Sequence, residues 1–344
     1  MSLGVSFIRS LPPAYFALVM ATGIISVAAK LQGFPRVASA LLSLAWGIYI
    51  LLFGLTLFRL LVFPKAFFAD FSNHAVAPGF FTTAAATGVI GTATTLIWKL
   101  PQVGWILWWF CILLAFGLIY SVFTVLIVHQ EKPPIDKGLN GGWLVAVVAT
   151  QSVSILGGVL AGVLPDHREV MLFFSISTWL FGGVLYIWII ALIFYRYLFF
   201  PVKAMDLGPP YWINMGAVAI STLAGCNLIK HADEIQFLLV LKPFLIGTTL
   251  LFWATATWWI PMLLTLGFWR HVLCRYPLSY QPVFWSAIFP LGMYSVCTFQ
   301  LDEVIELPFL KIISLFFWWV ALICWSITFI GMLRSFLPSK KNGA

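Results

Sequence analysis

Pro13-Ala14-Tyr15-Phe16-Ala17-Leu18-Val19-Met20-Ala21-Thr22-Gly23-Ile24-Ile25-Ser26-Val27-Ala28-Ala29 is an uncharged run that opens on a proline and two aromatics and then interleaves small and large apolar residues. As an α-helix rising 1.5 Å per residue it covers about 25 Å, close to the ~30 Å hydrocarbon core of a bilayer. Four later stretches open alike: Ala77-Pro78-Gly79-Phe80-Phe81, Gly141-Gly142-Trp143-Leu144, Pro209-Pro210-Tyr211-Trp212 and Gln281-Pro282-Val283-Phe284-Trp285. Proline is tolerated at a helix start because its missing N–H would be unpaired there in any case. Arg9, the apolar run and Val27-Ala28-Ala29 also imitate a cleaved secretory signal. The recurring opening makes 13–29 equivalent to later segments, so it reads as the first helix of a repeat.

Composition agrees. The 344 residues are 62% hydrophobic and 9% charged, against roughly a quarter charged in soluble domains. Apolar runs place membrane spans at 13–29, 37–61, 75–97, 103–129, 141–162, 170–197, 211–229, 243–269, 282–300 and 309–335. The expected fold is an all-α integral membrane protein of ten transmembrane helices in five helical hairpins. It forms one domain over 13–335, between short cytoplasmic tails at 1–12 and 336–344, with no soluble regulatory domain. The net charge of +8 reflects topology rather than nucleic-acid binding, because the charges sit between the apolar runs. Twelve of the 19 Lys and Arg residues fall on the side of the N terminus, which by the positive-inside rule puts both termini in the cytoplasm.

The two sets of spans differ in content. Gly, Ala, Ser and Thr make up 46 of 100 residues in the odd spans and 34 of 134 in the even ones, and the even spans hold 13 of the 17 tryptophans. Small residues allow close backbone approach or leave room for a solute. The expectation is an inner ring of five odd helices inside an outer ring of five aromatic-rich even helices. Span centres contain no Asp, Glu, Lys or Arg; each would cost about 2.5–3.5 kcal/mol on insertion scales. Ion-coupled pumps keep such residues as relays, so passive transport is favoured. The five cysteines read as small hydrophobes. His74, His129, His167, His231 and His271 lie at span ends or in loops, and no metal, nucleotide-binding or hydrolase motif is present. Neither an enzyme nor a cofactor is expected.

The segment 13–26 resembles the first helix of the tellurite-resistance/C4-dicarboxylate transporter family, which includes plant guard-cell slow anion channels, the bacterial tellurite-resistance channel homologue, and fungal malate transporters and sulfite pumps. Phe284-Trp285-Ser286-Ala287-Ile288-Phe289-Pro290 and Pro209-Pro210-Tyr211-Trp212-Ile213-Asn214-Met215-Gly216-Ala217 resemble the family's ninth and seventh helices. The resemblance implies quasi-fivefold symmetry, a pore through each protomer, a homotrimer, and Phe289 as the plug. The fifth span departs from the pattern, with Gly141-Gly142 in place of proline.

Aligned on their openings, the odd helices set Met20, Ala85, Val148 and Gly216 level with Phe289. Pro290 removes a hydrogen bond from the Ser286 carbonyl and is expected to kink the helix beside the gate. Thr22, Thr87, Thr150 and Ser286, together with Ser26, Thr83, Ser221 and Ser295, are candidate hydroxyl donors along the path. The plainer account is that helical Ser and Thr bond their own backbone. Parallel inner helices gather their positive N-termini at the cytoplasmic mouth, which favours small anions such as chloride or nitrate, conducted through the plasma or inner membrane. The alternative is a carrier for C4-dicarboxylates such as malate, or for sulfite-type oxyanions.

Overall fold

The computed structural model describes residues 7–336, which contain helices and no strand. The outermost residues of both expected tails, Lys340 and Lys341 among them, lie outside the described residues. Among the described residues ten helices are long and apolar enough to cross a membrane: α1 (Pro13–Leu31), α2 (Pro35–Val62), α3 (Ala77–Trp98), α4 (Pro101–Val128), α5 (Gly141–Ala161), α6 (Pro165–Phe199), α7 (Pro209–Lys230), α8 (Gln236–Leu273), α9 (Pro282–Ile305) and α10 (Phe309–Ser335). The largest departure from the sequence-based boundaries is α8. Pro243 reads as a helix start, yet it and Pro261 both lie inside the helix. The apolar run Phe237-Leu238-Leu239-Val240-Leu241 carries the helix through the lost hydrogen bond, which membrane helices tolerate when neighbouring groups re-satisfy the backbone.

Each even helix packs along the odd helix before it, forming five hairpins. The odd helices close a ring in the order α1, α3, α5, α7, α9 and back to α1. Each odd helix starts with a 3₁₀ turn, at Pro13–Phe16, Ala77–Phe80, Gly141–Leu144, Pro209–Trp212 and Pro282–Phe284. These turns touch one another around their own closed ring, so the inner helices run parallel with their N-termini at one end. Burial separates the sets as composition predicts: 72–94% of each odd span is buried and 22–50% of each even one.

Lipid supplies no hydrophobic drive to pair helices, so close packing and hydrogen bonds must do it. Glycine marks every contact in the inner ring. A Cβ on Gly23 would lie 2.7 Å from Val89 Cγ1, on Gly88 2.6 Å from Ser152 Cβ, on Gly158 3.3 Å from Asn227 Cβ, on Gly216 2.7 Å from Pro290 Cγ, and on Gly292 2.9 Å from Ile24 Cγ2. The outer ring is pinned by tryptophan. Every even helix donates one indole N–H to the next odd helix: Trp46 to Thr94 Oγ1 (2.9 Å), Trp108 to the Val153 carbonyl (3.0 Å), Trp179 to the Ser221 carbonyl (2.8 Å), Trp253 to Thr298 Oγ1 (3.0 Å) and Trp325 to Thr22 Oγ1 (3.0 Å). Thus α10 returns to α1 and the outer ring closes as well. These five indoles face inward as donors, whereas composition alone suggests aromatics turned outward to lipid or a partner subunit.

Candidate functional site

A cavity of about 230 Å³ lies inside the ring and is lined by all five odd helices: Ile24 and Val27 from α1, Val89 and Thr92 from α3, Ser152 and Ile155 from α5, Ile220 and Asn227 from α7, Met293 and Val296 from α9. It occupies the half of the ring nearer the helix C-termini, and its wall extends to Lys230, His231 and Gln300 at that mouth.

The sequence-aligned layer falls next to it. Met20, Ala85, Val148, Gly216 and Phe289 each precede a cavity-lining residue by four positions, namely Ile24, Val89, Ser152, Ile220 and Met293. Residues four apart share a helix face one turn apart. All five are buried, and Phe289 is only 2% exposed. Ser286 is buried on the same face, three residues before Phe289. Pro290 packs its ring on Gly216, and α9 stays helical on both sides of it from Trp285 to Ile305.

Thr22, Thr87 and Thr150 have their hydroxyls engaged by protein partners. Thr22 donates to the Leu18 carbonyl (2.8 Å) and accepts from Trp325 of α10. Thr87 donates to the Thr83 carbonyl (2.8 Å) and pairs with the Tyr49 hydroxyl of α2 (2.8 Å). Thr150 donates to the Ala146 carbonyl and sits two residues, about 200° of helix rotation, from Ser152. The cause is register: two residues beyond the Phe289 level turns a side chain toward the outer ring. Ser295 likewise bonds the Ser314 carbonyl of α10 (2.8 Å). Ser26, Thr83 and Ser221 donate to their own helix at Gly23, Phe80 and Ala217.

The glycine opening of α5 has a steric cause. A Cβ on Gly141 would lie 2.3 Å from the Pro210 carbonyl oxygen, where α5 and α7 start side by side. Asn140 replaces proline as the organiser, accepting the Gly142 N–H at 2.8 Å.

Three buried arginines escape a charge count that treats them as topology markers. Arg59, Arg196 and Arg270 close α2, α6 and α8. They donate to the carbonyls of Leu11, Leu139 and Leu207, each two residues before the odd helix of the same hairpin begins. The sequence signal is the recurrence of Arg at an even-helix end with Leu two positions before an odd-helix opening.

Parallel apolar helices ringed around a buried cavity make up an integral membrane protein with a solute-sized interior space. Comparison with known proteins narrows the class: residues 10–333 match the voltage-dependent anion channel (SLAC1) family model, and the chain belongs to this family of anion transport proteins. It is 42% identical, over 44% of its own length, to an uncharacterised membrane protein of Mycobacterium tuberculosis, covering 76% of that protein. It is 22% identical to a sulfite efflux pump of Trichophyton rubrum, over 94% of this chain and 90% of the pump. It is also 22% identical to the malic acid transport protein of Schizosaccharomyces pombe, over 94% of this chain and 78% of the relative.

Proposed function

We propose that the chain conducts small anions such as chloride or nitrate through the centre of the helix ring, and that Phe289 is its gate. The observation that carries this reading is the four-residue offset shared by all five inner helices. Met20, Ala85, Val148, Gly216 and Phe289 all lie one turn below the lining of the central cavity. At that level one phenyl ring shares the ring of helices with three small or medium side chains and a glycine, so one side chain can occlude the layer and its rotamer change can open it. A hydrophobic constriction of this kind gates by excluding water. Pro290 against Gly216 fixes the backbone beside the ring. No Asp, Glu, Lys or Arg interrupts the mid-depth path, which suits passive flux. Quasi-fivefold symmetry of the ring, a homotrimer in the plasma or inner membrane, and cytoplasmic termini complete the proposal. Phe289→Ala is expected to raise chloride and nitrate currents severalfold under voltage clamp. Unchanged currents, with the protein at the cell surface, would remove Phe289 from the gate.

The names of the sulfite and malic acid relatives favour a second reading, a carrier for sulfite-type oxyanions or C4-dicarboxylates. It predicts counter-flow, the acceleration of uptake by anion on the opposite side, in proteoliposomes, which a channel does not show even where its flux saturates.

A further inference from the structure

The outer part of the cavity carries donors that the gate does not use. Among the described residues its only ionisable lining groups are Lys230 and His231 and no carboxylate lines it; most of its remaining wall is aliphatic. Asn227 and Lys230 lie three residues apart on the last turns of α7 and therefore share a face. Asn227 Nδ2 is buried without a hydrogen-bond partner. Lys230 Nζ meets the neutral Gln300 Oε1 from α9, which leaves its charge uncompensated and donors to spare. His231 is already engaged. Arginine can only donate, so His231 Nδ1 accepts from Arg168 Nη2 at 3.0 Å, and Nε2 carries the proton toward the Gly158 carbonyl at 3.0 Å. Three cations at this end have carboxylate partners: Arg168 with Glu234, Lys242 with Asp233 at 2.7 Å, and Lys311 with Asp302 at 3.2 Å; Lys30, Arg36 and Lys99 have none among the described residues but do not line the cavity. Among the described residues Lys230 has no ion pair.

An unpaired ammonium beside an unpartnered amide N–H is a donor set for an anion. Its position adds to the argument. The inner helices end at this mouth, where their C-terminal carbonyls carry partial negative charge. An anion crossing there meets repulsion unless a cation offsets it.

We propose that Asn227 and Lys230 form an anion subsite at this mouth, and that it takes a small monovalent oxyanion such as nitrate or hydrogensulfite in preference to a dicarboxylate. Two oxygens of one such ion meet Nδ2 and Nζ together. One lysine balances one negative charge; the second carboxylate of a C4 diacid would lie unpaired against an aliphatic wall. The role of the subsite in flux rests on the transport reading, but binding does not.

The experiment uses the purified chain in detergent and in proteoliposomes, with sodium nitrate replacing sodium gluconate at constant ionic strength. Nitrate is expected to raise Tm for the wild type, Lys230→Arg and Lys242→Gln, and not for Lys230→Gln or Asn227→Leu. Loss of one charge-assisted hydrogen bond should raise half-saturating nitrate in uptake by about tenfold in Lys230→Gln. Malate at equal concentration should shift Tm less than nitrate. A nitrate shift that persists in a folded Lys230→Gln overturns the subsite, and a larger malate shift overturns its preference. Should Lys230→Gln not fold, Asn227→Leu decides by the same readout. Lys230-dependent nitrate binding without any flux, in wild type and in Phe289→Ala, would overturn the transport reading and leave the subsite standing; flux with Lys230-independent binding would do the reverse.

Discussion

The two ends of the inner ring are held by different kinds of bond. At the N-terminal end, five 3₁₀ turns touch one another and buried arginines tie them to the even helices. Arg59 alone donates to the carbonyls of Arg9 (3.0 Å) and Leu11 (2.9 Å) and to Asp70 (2.7 Å). Arg196 reaches the Leu139 carbonyl (2.8 Å) and the Tyr211 hydroxyl, and Arg270 stacks over Tyr276 at 4.4 Å. At the C-terminal end each connection has at least one partly exposed side chain: Arg168 with Glu234 and His231, Lys242 with Asp233, and Lys311 with the buried Asp302. Buried, charge-assisted bonds from arginine to backbone carbonyls fix the chain where it enters each of these helices, whereas exposed ion pairs contribute little and exchange readily. The first end is therefore a fixed frame for the Phe289 layer, and the second an adjustable mouth above the cavity.

Breaking the frame should have the largest effect. Arg59→Met strands Asp70 and the Leu11 carbonyl, and removing one partner of a buried charge network costs about 3–5 kcal/mol. The expected result is a large fall in Tm in detergent, while Lys242→Gln at the other end stays near wild type.

A matched glycine pair sharpens the contrast at smaller scale. Gly141→Ala drives a Cβ against the Pro210 carbonyl, 2.3 Å away, whereas Gly158→Ala meets Asn227 Cβ at 3.3 Å beside an open cavity. Overpacking a closed site costs about 1–3 kcal/mol, so Gly141→Ala should lower Tm clearly more than Gly158→Ala. Equal shifts would mean that the two ends are equally rigid.

The smallest effect concerns His231. Burial holds its pKa below the usual 6.5; Arg168 and Lys230 add to this, while the Gly158 hydrogen bond and Glu234 oppose it. The folded chain thus takes up this proton less readily than the unfolded one. The associated stability is present above pH 6.5 and is lost as pH falls through the lowered value. Protonated Nδ1 would also face the Arg168 donor. A modest decline in Tm on acidification, flattened in His231→Gln, is the outcome to measure.

Much of this architecture can be read in the chain itself. Ten helices follow from apolar run length, and the division into inner and outer sets follows from where Gly, Ala, Ser and Thr concentrate, because only small side chains let five helices close a ring. The level of Met20, Ala85, Val148, Gly216 and Phe289 follows from counting along five similar openings. Counting does not say which way a neighbour points. Two residues further on, Thr22, Thr87 and Thr150 look like path donors until the outer helices are in place, and then two of them prove to be acceptors for Trp325 and Tyr49.

The sequence by itself determined the membrane fold, the two classes of helix and the candidate gate layer, since those depend on local composition and on the constant pitch of an α-helix. Only the tertiary structure decided which hydroxyls and indoles bond across hairpins, why Gly141 stands where other openings have proline, that Arg59, Arg196 and Arg270 clamp backbone carbonyls, and that Asn227 and Lys230 meet in one cavity. Each of these depends on distances between helices far apart in the chain, which no local pattern encodes.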